Sequence, residues 1–233
     1  MEKLIYTAMS GAQHTLMAQQ IRANNLANVN TAGFRADFER VSAYALTGDG
    51  YQSRVMAKEE MAGTNFKAGP LMQTGRKLDV AIRGEGFLAV QVEDGKEAYT
   101  RMGSLRVSPL GVLETSTGLS VLDDAGQPIV LPLPMEKVEI NQDGTVIGRP
   151  EGAAPDTVEE YQRIKLVNPD TRALSKGNDG LFRRADGQAE KASAQVRLAS
   201  GALESSNVNV VDEMTNLIRL QRQFDTQVKL MQT

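Results

Sequence analysis

The stretch KLIYTAMSGAQHTLMAQQIRANNLANV (3–29) determines the fold at one end of the chain, and VNVVDEMTNLIRLQRQFDTQVKLMQ (208–232) determines it at the other. In both stretches apolar or small residues recur at alternating spacings of four and three, with one polar position in each series, Gln19 or Gln221. This repeat is typical of a helix that packs along another helix. Because two such helices open and close one chain, we expect the function of the chain to be assembly.

The side chains of the two repeats are predicted to lie at the interface between subunits. Arg22 is the only formally charged residue between Ile5 and Phe34. A solvated helix surface normally carries Lys and Glu, so this helix is expected to pack on several sides. The predicted subunit-interface residues are Ile5, Met9, Ala12, Leu16, Ala23 and Leu26 in the first helix and Val210, Met214, Leu217, Phe224 and Val228 in the second.

Asparagine is concentrated where the first helix is expected to end. Asparagine is a poor helix former that caps and terminates helices, and glycine can take the left-handed conformation that follows a helix. Alternatively, amide side chains near a helix seam bond across chains and fix the register of the helices. Both roles remain open for this predicted elbow, which comprises Asn24, Asn25, Asn28, Asn30 and Gly33.

The middle of the chain has the period of a β-strand. Apolar and polar residues alternate in LDVAI (78–82), and FLAVQV (87–92) follows after two glycines. DDAG (123–126) and NQDG (141–144) have the composition of tight turns, and the prolines in IVLPLPMEKVEI (129–140) indicate an edge or irregular strand. These signals predict a compact antiparallel β-domain.

The sequence therefore predicts an α+β fold. The two terminal helices are expected to pack as a coiled-coil-like pair that flanks a central antiparallel all-β domain. The predicted domains are a helical domain at 1–34 and 204–233, an extended connector with short strands at 35–73, and a β-domain at 74–203.

Composition argues against several classes of function. A formal net charge of -3 is unusual for a nucleic-acid-binding protein, and the absence of cysteine excludes disulfides and thiolate metal sites. No apolar run approaches the roughly 18–20 residues of a membrane span, and the amino-terminal stretch lacks the apolar core of a cleavable signal peptide. His14 is the only histidine, so histidine metal sites and catalytic triads lack partners. No catalytic, cofactor or metal residue is predicted, and we expect the protein not to be an enzyme.

Two short motifs resemble ligand loops but do not satisfy their requirements. RGEGF (83–87) lacks the third glycine of a dinucleotide loop and precedes a strand, so a tight turn is predicted there. NQDGTV (141–146) begins like a calcium loop but has no glutamate at the twelfth position. A turn is predicted there as well.

Four blocks of the sequence resemble the bacterial flagellar rod and hook proteins. NNLANVNTAGFR (24–35) resembles their amino-terminal signature, and GALESSNVNVVDEMTNLIRLQRQF (201–224) resembles their carboxy-terminal block. TGRKLDVAIRGEGFLAV (74–90) and YTRMGSLRVSPLGVLETSTGLSVL (99–122) resemble blocks between them. The four blocks occur in the order of the family, and the resemblance is greatest to its proximal rod proteins. A distal-rod or hook-type protein of the same family is the alternative.

The resemblance implies a structural subunit of the flagellar basal body. Such proteins leave the cytoplasm through the flagellar type III export apparatus without a cleaved signal. They assemble with themselves and with other proximal and distal rod proteins into a helical rod, which crosses the periplasm and transmits torque for motility. The terminal helices would form the inner tube, with the β-domain outside it.

Two interpretations from other classes remain open on the sequence alone. One is a periplasmic glycan-binding or hydrolytic β-domain whose helices only join copies of the chain. The other is a cytoplasmic coiled-coil scaffold. In addition, the polar positions in the helical repeats predict that the chain ends are largely disordered in the unassembled subunit and fold when neighbours join.

Overall fold

The structure is a computed structural model that describes residues 2–45, 55–92, 95–154 and 157–232. Its helices are Glu2–Ala27 (α1), Val210–Gln232 (α2) and a short 3-10 helix at Thr171–Ala173. The strands, in chain order, are Asp37–Ala45 (β1), Val55–Thr64 (β2), Leu71–Gln73 (β3), Val80–Arg83 (β4), Phe87–Gln91 (β5), Glu97–Thr100 (β6), Leu105–Val107 (β7), Leu113–Thr115 (β8), Ser120–Val121 (β9), Met135–Ile140 (β10), Thr145–Pro150 (β11), Glu159–Arg163 (β12), Leu166–Val167 (β13), Leu174–Lys176 (β14), Phe182–Arg184 (β15), Arg197–Ser200 (β16) and Ala202–Glu204 (β17).

The chain divides into two compact units. The helical unit comprises residues 1–30, 35–67 and 207–233, and the β unit comprises residues 31–34 and 68–206. These limits differ from the domains predicted from the sequence, because the connector expected at 35–73 contributes a hairpin to the helical unit. The division into a helical domain, a connector and a β-domain stays a prediction.

In the helical unit, α1 and α2 pack against each other, and α1 also contacts β1 and β2. The two strands form an antiparallel hairpin whose register shifts between Phe38 and Arg40. The predicted α+β fold, with paired terminal helices and a central antiparallel β region, is confirmed.

The start of α2 follows from its sequence. The Asn209 side-chain oxygen accepts a hydrogen bond from the backbone N–H of Val211 at 3.0 Å, which caps the helix. Asp212 and Glu213 lie in the first turn, where carboxylates are stabilised by the helix dipole.

All strand pairs of the β unit are antiparallel in the described part of the chain. Its largest sheet has the order β14-β15-β6-β5-β9-β8-β7, with β13 paired to β5, and a second sheet has the order β10-β11-β12. The pairs β16-β4 and β17-β3 complete the unit. The buried core comes from both larger sheets and from the β16-β4 pair, and among its fully enclosed side chains are Leu88, Val121, Val146, Ile164 and Leu198.

The predicted turns are found in the β unit. Gly126 N–H donates to the Asp123 carbonyl at 2.8 Å, and Gly144 N–H donates to that of Asn141 at 3.0 Å. RGEGF turns the chain between β4 and β5, and the strand of the proline-containing stretch, β10, lies at a sheet edge. These four sequence predictions are confirmed.

Candidate assembly interface

The buried side of α1 consists mainly of small side chains. They recur at helical spacing and are at most 9% exposed: Ala8, Ala12, Thr15 and Ala18. Small side chains allow two helix backbones to approach closely, so the contact depends on shape more than on large apolar groups. Gly11 shows this closeness, because a Cβ at that position would lie 2.8 Å from Nε2 of Gln227 on α2.

Two polar contacts fix the register of the helix pair. Thr15 Oγ1 lies 3.1 Å from Oε1 of Gln227, toward the distal end of α2. At the other end, Arg22 Nη1 donates to both carboxylate oxygens of Glu213, at 3.1 and 3.2 Å. Contacts at both ends of the pair oppose sliding of one helix along the other.

Asn25 joins three elements of the helical unit. Its side chain is 0% exposed. Nδ2 donates to the Asp37 carbonyl at 2.8 Å, and Oδ1 accepts from the Asp37 N–H at 2.9 Å, so the amide pairs with the backbone at the start of β1. Nδ2 also lies 3.2 Å from Oε1 of Glu213. A buried amide with its donor and acceptor both used is highly specific for one arrangement.

The other predicted elbow residues lie in different environments. Asn24 and Asn30 are exposed, and the Asn24 carbonyl accepts from the Asn28 backbone N–H at 3.1 Å and from its Nδ2 at 3.0 Å. Gly33 is buried in the β unit with a φ of 71°, several residues beyond the last helical residue, Ala27. The role of this set in register between subunits stays a prediction.

The predicted subunit-interface residues divide by exposure in the single chain. Ala12 is buried, while the side chain of Ile5 is outside the described residues. Half-buried positions are Leu26, Leu217, Phe224 and Val228, and exposed positions are Met9, Leu16, Ala23, Val210 and Met214. Within the chain, α1 and α2 therefore pair through a face that shares only some residues with the predicted subunit interface. The assignment of these residues to contacts between subunits stays a prediction.

Several residues of the helix pair were missed by the apolar repeat because they are polar. Thr15, Gln227 and Glu213 belong to this group, and so does Arg22. The available signal was that Arg22 is the lone charge between Ile5 and Phe34, since an isolated charge facing a packed surface needs an opposite charge nearby.

Large apolar side chains remain exposed on both helices. Tyr6, Met9 and Leu16 form what we call the α1 face, and they are 63%, 43% and 43% exposed. The α2 face consists of Val211, Met214 and Ile218, which are three and four residues apart and 70%, 50% and 57% exposed. Groups of exposed apolar side chains at helical spacing are typical of surfaces that pack against another protein.

One cleft among the described residues of the helical unit is smaller than a typical ligand site. A cleft of about 120 Å³ lies among α1, β1 and α2, lined by Ala18, Ile21, Arg22, Glu39, Asn216, Arg219 and Leu220. Ligand sites usually enclose roughly 300–1,000 Å³. Over the part of the chain that the structure describes, His, Asp and Glu side chains are not grouped in a way that could hold a metal ion.

Three family profiles match the chain, in the order of the sequence blocks. "Flagella basal body rod protein" matches residues 5–35, "Flagellar hook protein FlgE/F/G D1 domain" matches 81–148, and "Flagellar basal body rod FlgEFG protein C-terminal" matches 199–233. Flagellar basal-body rod protein FlgF of Salmonella typhimurium is 39% identical, over 99% of this chain and 93% of the relative. The chain belongs to the flagellar basal-body rod protein family. FlgF of Escherichia coli has the same identity and coverage.

Within this family the chain is FlgF-like. Flagellar basal-body rod protein FlgG of Bacillus subtilis is 30% identical, over 100% of this chain and 95% of the relative. That identity is lower than for the FlgF proteins above. Membership makes the chain a structural protein of the basal-body rod and not an enzyme. None of the described helices is both long and apolar enough to cross a membrane.

Proposed function

We propose that the chain is a subunit of the proximal rod, which joins copies of itself and other proximal and distal rod proteins in a helical assembly. The observation that carries this proposal is the pair of exposed apolar faces on α1 and α2. Because these helices pair through small side chains and polar contacts, their larger apolar groups are left for neighbouring subunits. Contacts of this kind, between different surfaces of successive subunits, build open helical filaments.

The rod is the axial drive shaft of the flagellum, and the subunit contributes to torque transmission for motility. The FlgF-like sequence and the rod-family matches at both ends support this role. We place the assembled subunit in the periplasm, reached through the flagellar type III export apparatus without a cleaved signal. Each neighbour would cover part of the α1 or α2 face.

A charge placed on either face tests the proposal. Leu16→Asp and Ile218→Asp introduce a carboxylate at positions that are 43% and 57% exposed, so the chain itself should still fold. Burying that carboxylate against a neighbour is strongly unfavourable. We expect rod growth to stop and motility to be lost, while circular dichroism of the purified variants stays that of the parent.

Val158→Asp is the matched control. Val158 is 61% exposed and lies in the β unit, just before β12, so the same chemical change leaves both helix faces intact. This variant should assemble and swim. Normal rods and motility with Leu16→Asp and Ile218→Asp would contradict the assignment of the two faces to assembly.

A further inference from the structure

The chain passes between the helical unit and the β unit at four places, after residues 30, 34, 67 and 206. Near three of these crossings, each unit holds its own chain segments with a single residue. In the β unit this residue is Glu204, and in the helical unit it is Asn207. We call Glu204 and Asn207 the clasp residues.

Glu204 brings three segments of the β unit together. Its carboxylate Oε1 accepts from the Gly69 N–H at 2.9 Å, and its backbone carbonyl accepts from the Gly33 N–H at 2.7 Å. Gly33 precedes the crossing after residue 34, and Gly69 follows the crossing after residue 67. Glu204 itself precedes the crossing after residue 206.

Arg101 holds the Glu204 carboxylate in place. Its Nη1 lies 2.8 Å from Oε2 of Glu204, and the two side chains are only 4% and 1% exposed. The same guanidinium donates from Nη2 to the Gly84 carbonyl at 2.6 Å and lies 5.4 Å from the centre of the Phe87 ring. Separating a buried ion pair leaves two desolvated charges, so the Glu204 carboxylate cannot readily turn away.

Asn207 gathers the same three crossings in the helical unit. Its Oδ1 accepts from the Ala36 N–H at 2.7 Å, and its Nδ2 donates to the carbonyls of Asn65 and Lys67, both at 2.8 Å. Nδ2 has two hydrogens, and both are used. The Asn65 N–H also donates to the Ala36 carbonyl at 2.8 Å, which ties the first two segments to each other.

We propose that the clasp residues couple the three crossings. The hydrogen bonds at one crossing do not break without those at the other two, so a force on one crossing is shared by all three. The inference rests on the proposed function, because torque passing along a rod would load these crossings. The physical reason is that each clasp residue bonds segments from different crossings at once. Opening one crossing therefore disturbs bonds that also hold the other two.

Amide hydrogen exchange of the purified full-length chain tests the coupling. The variants are Glu204→Gln, which removes the charge opposite Arg101, and Asn207→Ala, which removes all three side-chain bonds of that residue. Glu204→Gln removes the charge from one carboxylate, and Asn207→Ala removes three neutral hydrogen bonds, so each should speed local opening about tenfold or more. We expect both variants to raise exchange together in 31–36, 65–70 and 204–207.

Glu97→Gln is the control. It weakens the Lys165–Glu97 ion pair, which has a 2.7 Å contact and side chains 7% and 9% exposed within the β unit. Exchange in the three segments should stay at the parental rate in this variant. The proposal is overturned if the clasp variants speed exchange in one segment only or in none, or if Glu97→Gln has the same effect. If Glu204→Gln does not fold, Asn207→Ala decides by the same comparison.

Swimming speed at increasing viscosity tests the sharing of load. In cells whose rods contain the variant chain, Asn207→Ala should swim normally at low load and slow more steeply than Glu97→Gln at high load. Equal slowing of the two variants would overturn load sharing. If the parental chain does not enter rods at all, the proposed function fails, whereas the exchange experiment on the purified chain still decides whether the crossings are coupled.

Discussion

Replacing Gly33 by alanine should destabilise the β unit through two separable effects. Gly33 has a φ of 71°, a conformation that costs an alanine about 1–2 kcal/mol. In addition, a Cβ at this position would overlap the backbone carbonyl of Arg101, which is held by its own buried side chain. Inserting an extra carbon into packed structure typically costs about 1–3 kcal/mol more. The expected total is roughly 2–5 kcal/mol.

Gly75→Ala isolates the first effect. Gly75 also lies in the β unit with a φ of 75°, but nothing lies within 4 Å of a Cβ built there. This variant should therefore lose only about 1–2 kcal/mol. The difference between the two variants measures the close approach of Gly33 to the Arg101 backbone.

Urea unfolding followed by far-ultraviolet circular dichroism gives the comparison. With a denaturant slope of about 1–3 kcal/mol/M, a difference of about 2 kcal/mol separates the two midpoints by roughly 1 M. The Gly33→Ala midpoint should lie below that of Gly75→Ala. Coincident midpoints would show that residues 31–34 are not seated against Arg101, and would refute this account of the segment that follows α1.

Three further predictions concern the helical unit, the β-unit core and the unassembled subunit. In assembled rods, where the helical unit is folded, Asn25→Ala removes the amide that pairs with the Asp37 backbone and should lower the urea concentration at which the rods dissociate by roughly 1 M or more. Asn24→Ala changes a neighbour that is exposed in the single chain and should lower that concentration by less; equal effects would contradict the buried role of Asn25. Burial raises the pKa of Tyr99 above its ordinary value, so the contribution of the neutral phenol to stability is present below about pH 10 and is lost as the pH rises further. Tyr99→Phe should therefore make the loss of stability between about pH 9 and pH 11 shallower. An unchanged slope in this variant would count against the role of Tyr99. In the purified monomer, amide exchange across 5–28 and 210–230 should be fast, because the packing of small side chains gives less free energy than the ordering of two helices costs in entropy. Strong protection in these two segments would refute folding on assembly.

The sequence predicted the elements of the fold better than their grouping. The 4-3 repeats and the period-two stretches identified the paired helices and the antiparallel β region, because both patterns follow directly from local geometry. The hairpin of β1 and β2 was only anticipated as short strands in a connector. Its place in the helical unit depends on contacts distant in sequence, such as that between Asn25 and Asp37.

The candidate interface was predicted in outline. The apolar repeat gave Met9, Leu16 and Met214, which are exposed in the single chain, and their place in contacts between subunits stays a prediction. It could not give the polar register contacts, because an apolar pattern carries no information on a Thr15–Gln227 or Arg22–Glu213 pair. The clasp residues have no local signature either, since Glu204 and Asn207 acquire their roles only where separate chain segments meet.

This chain is a structural protein of the rod family, and we propose that it forms part of the proximal rod and that later rod subunits need it in order to assemble. Electron microscopy of basal bodies isolated from a strain without the protein tests it most directly, with the same strain complemented by the full-length chain as the control. We predict that rods in the deletion strain end within the proximal segment and carry no distal rod or hook, and that complementation restores both. Complete rods with attached hooks in the deletion strain would contradict the claim.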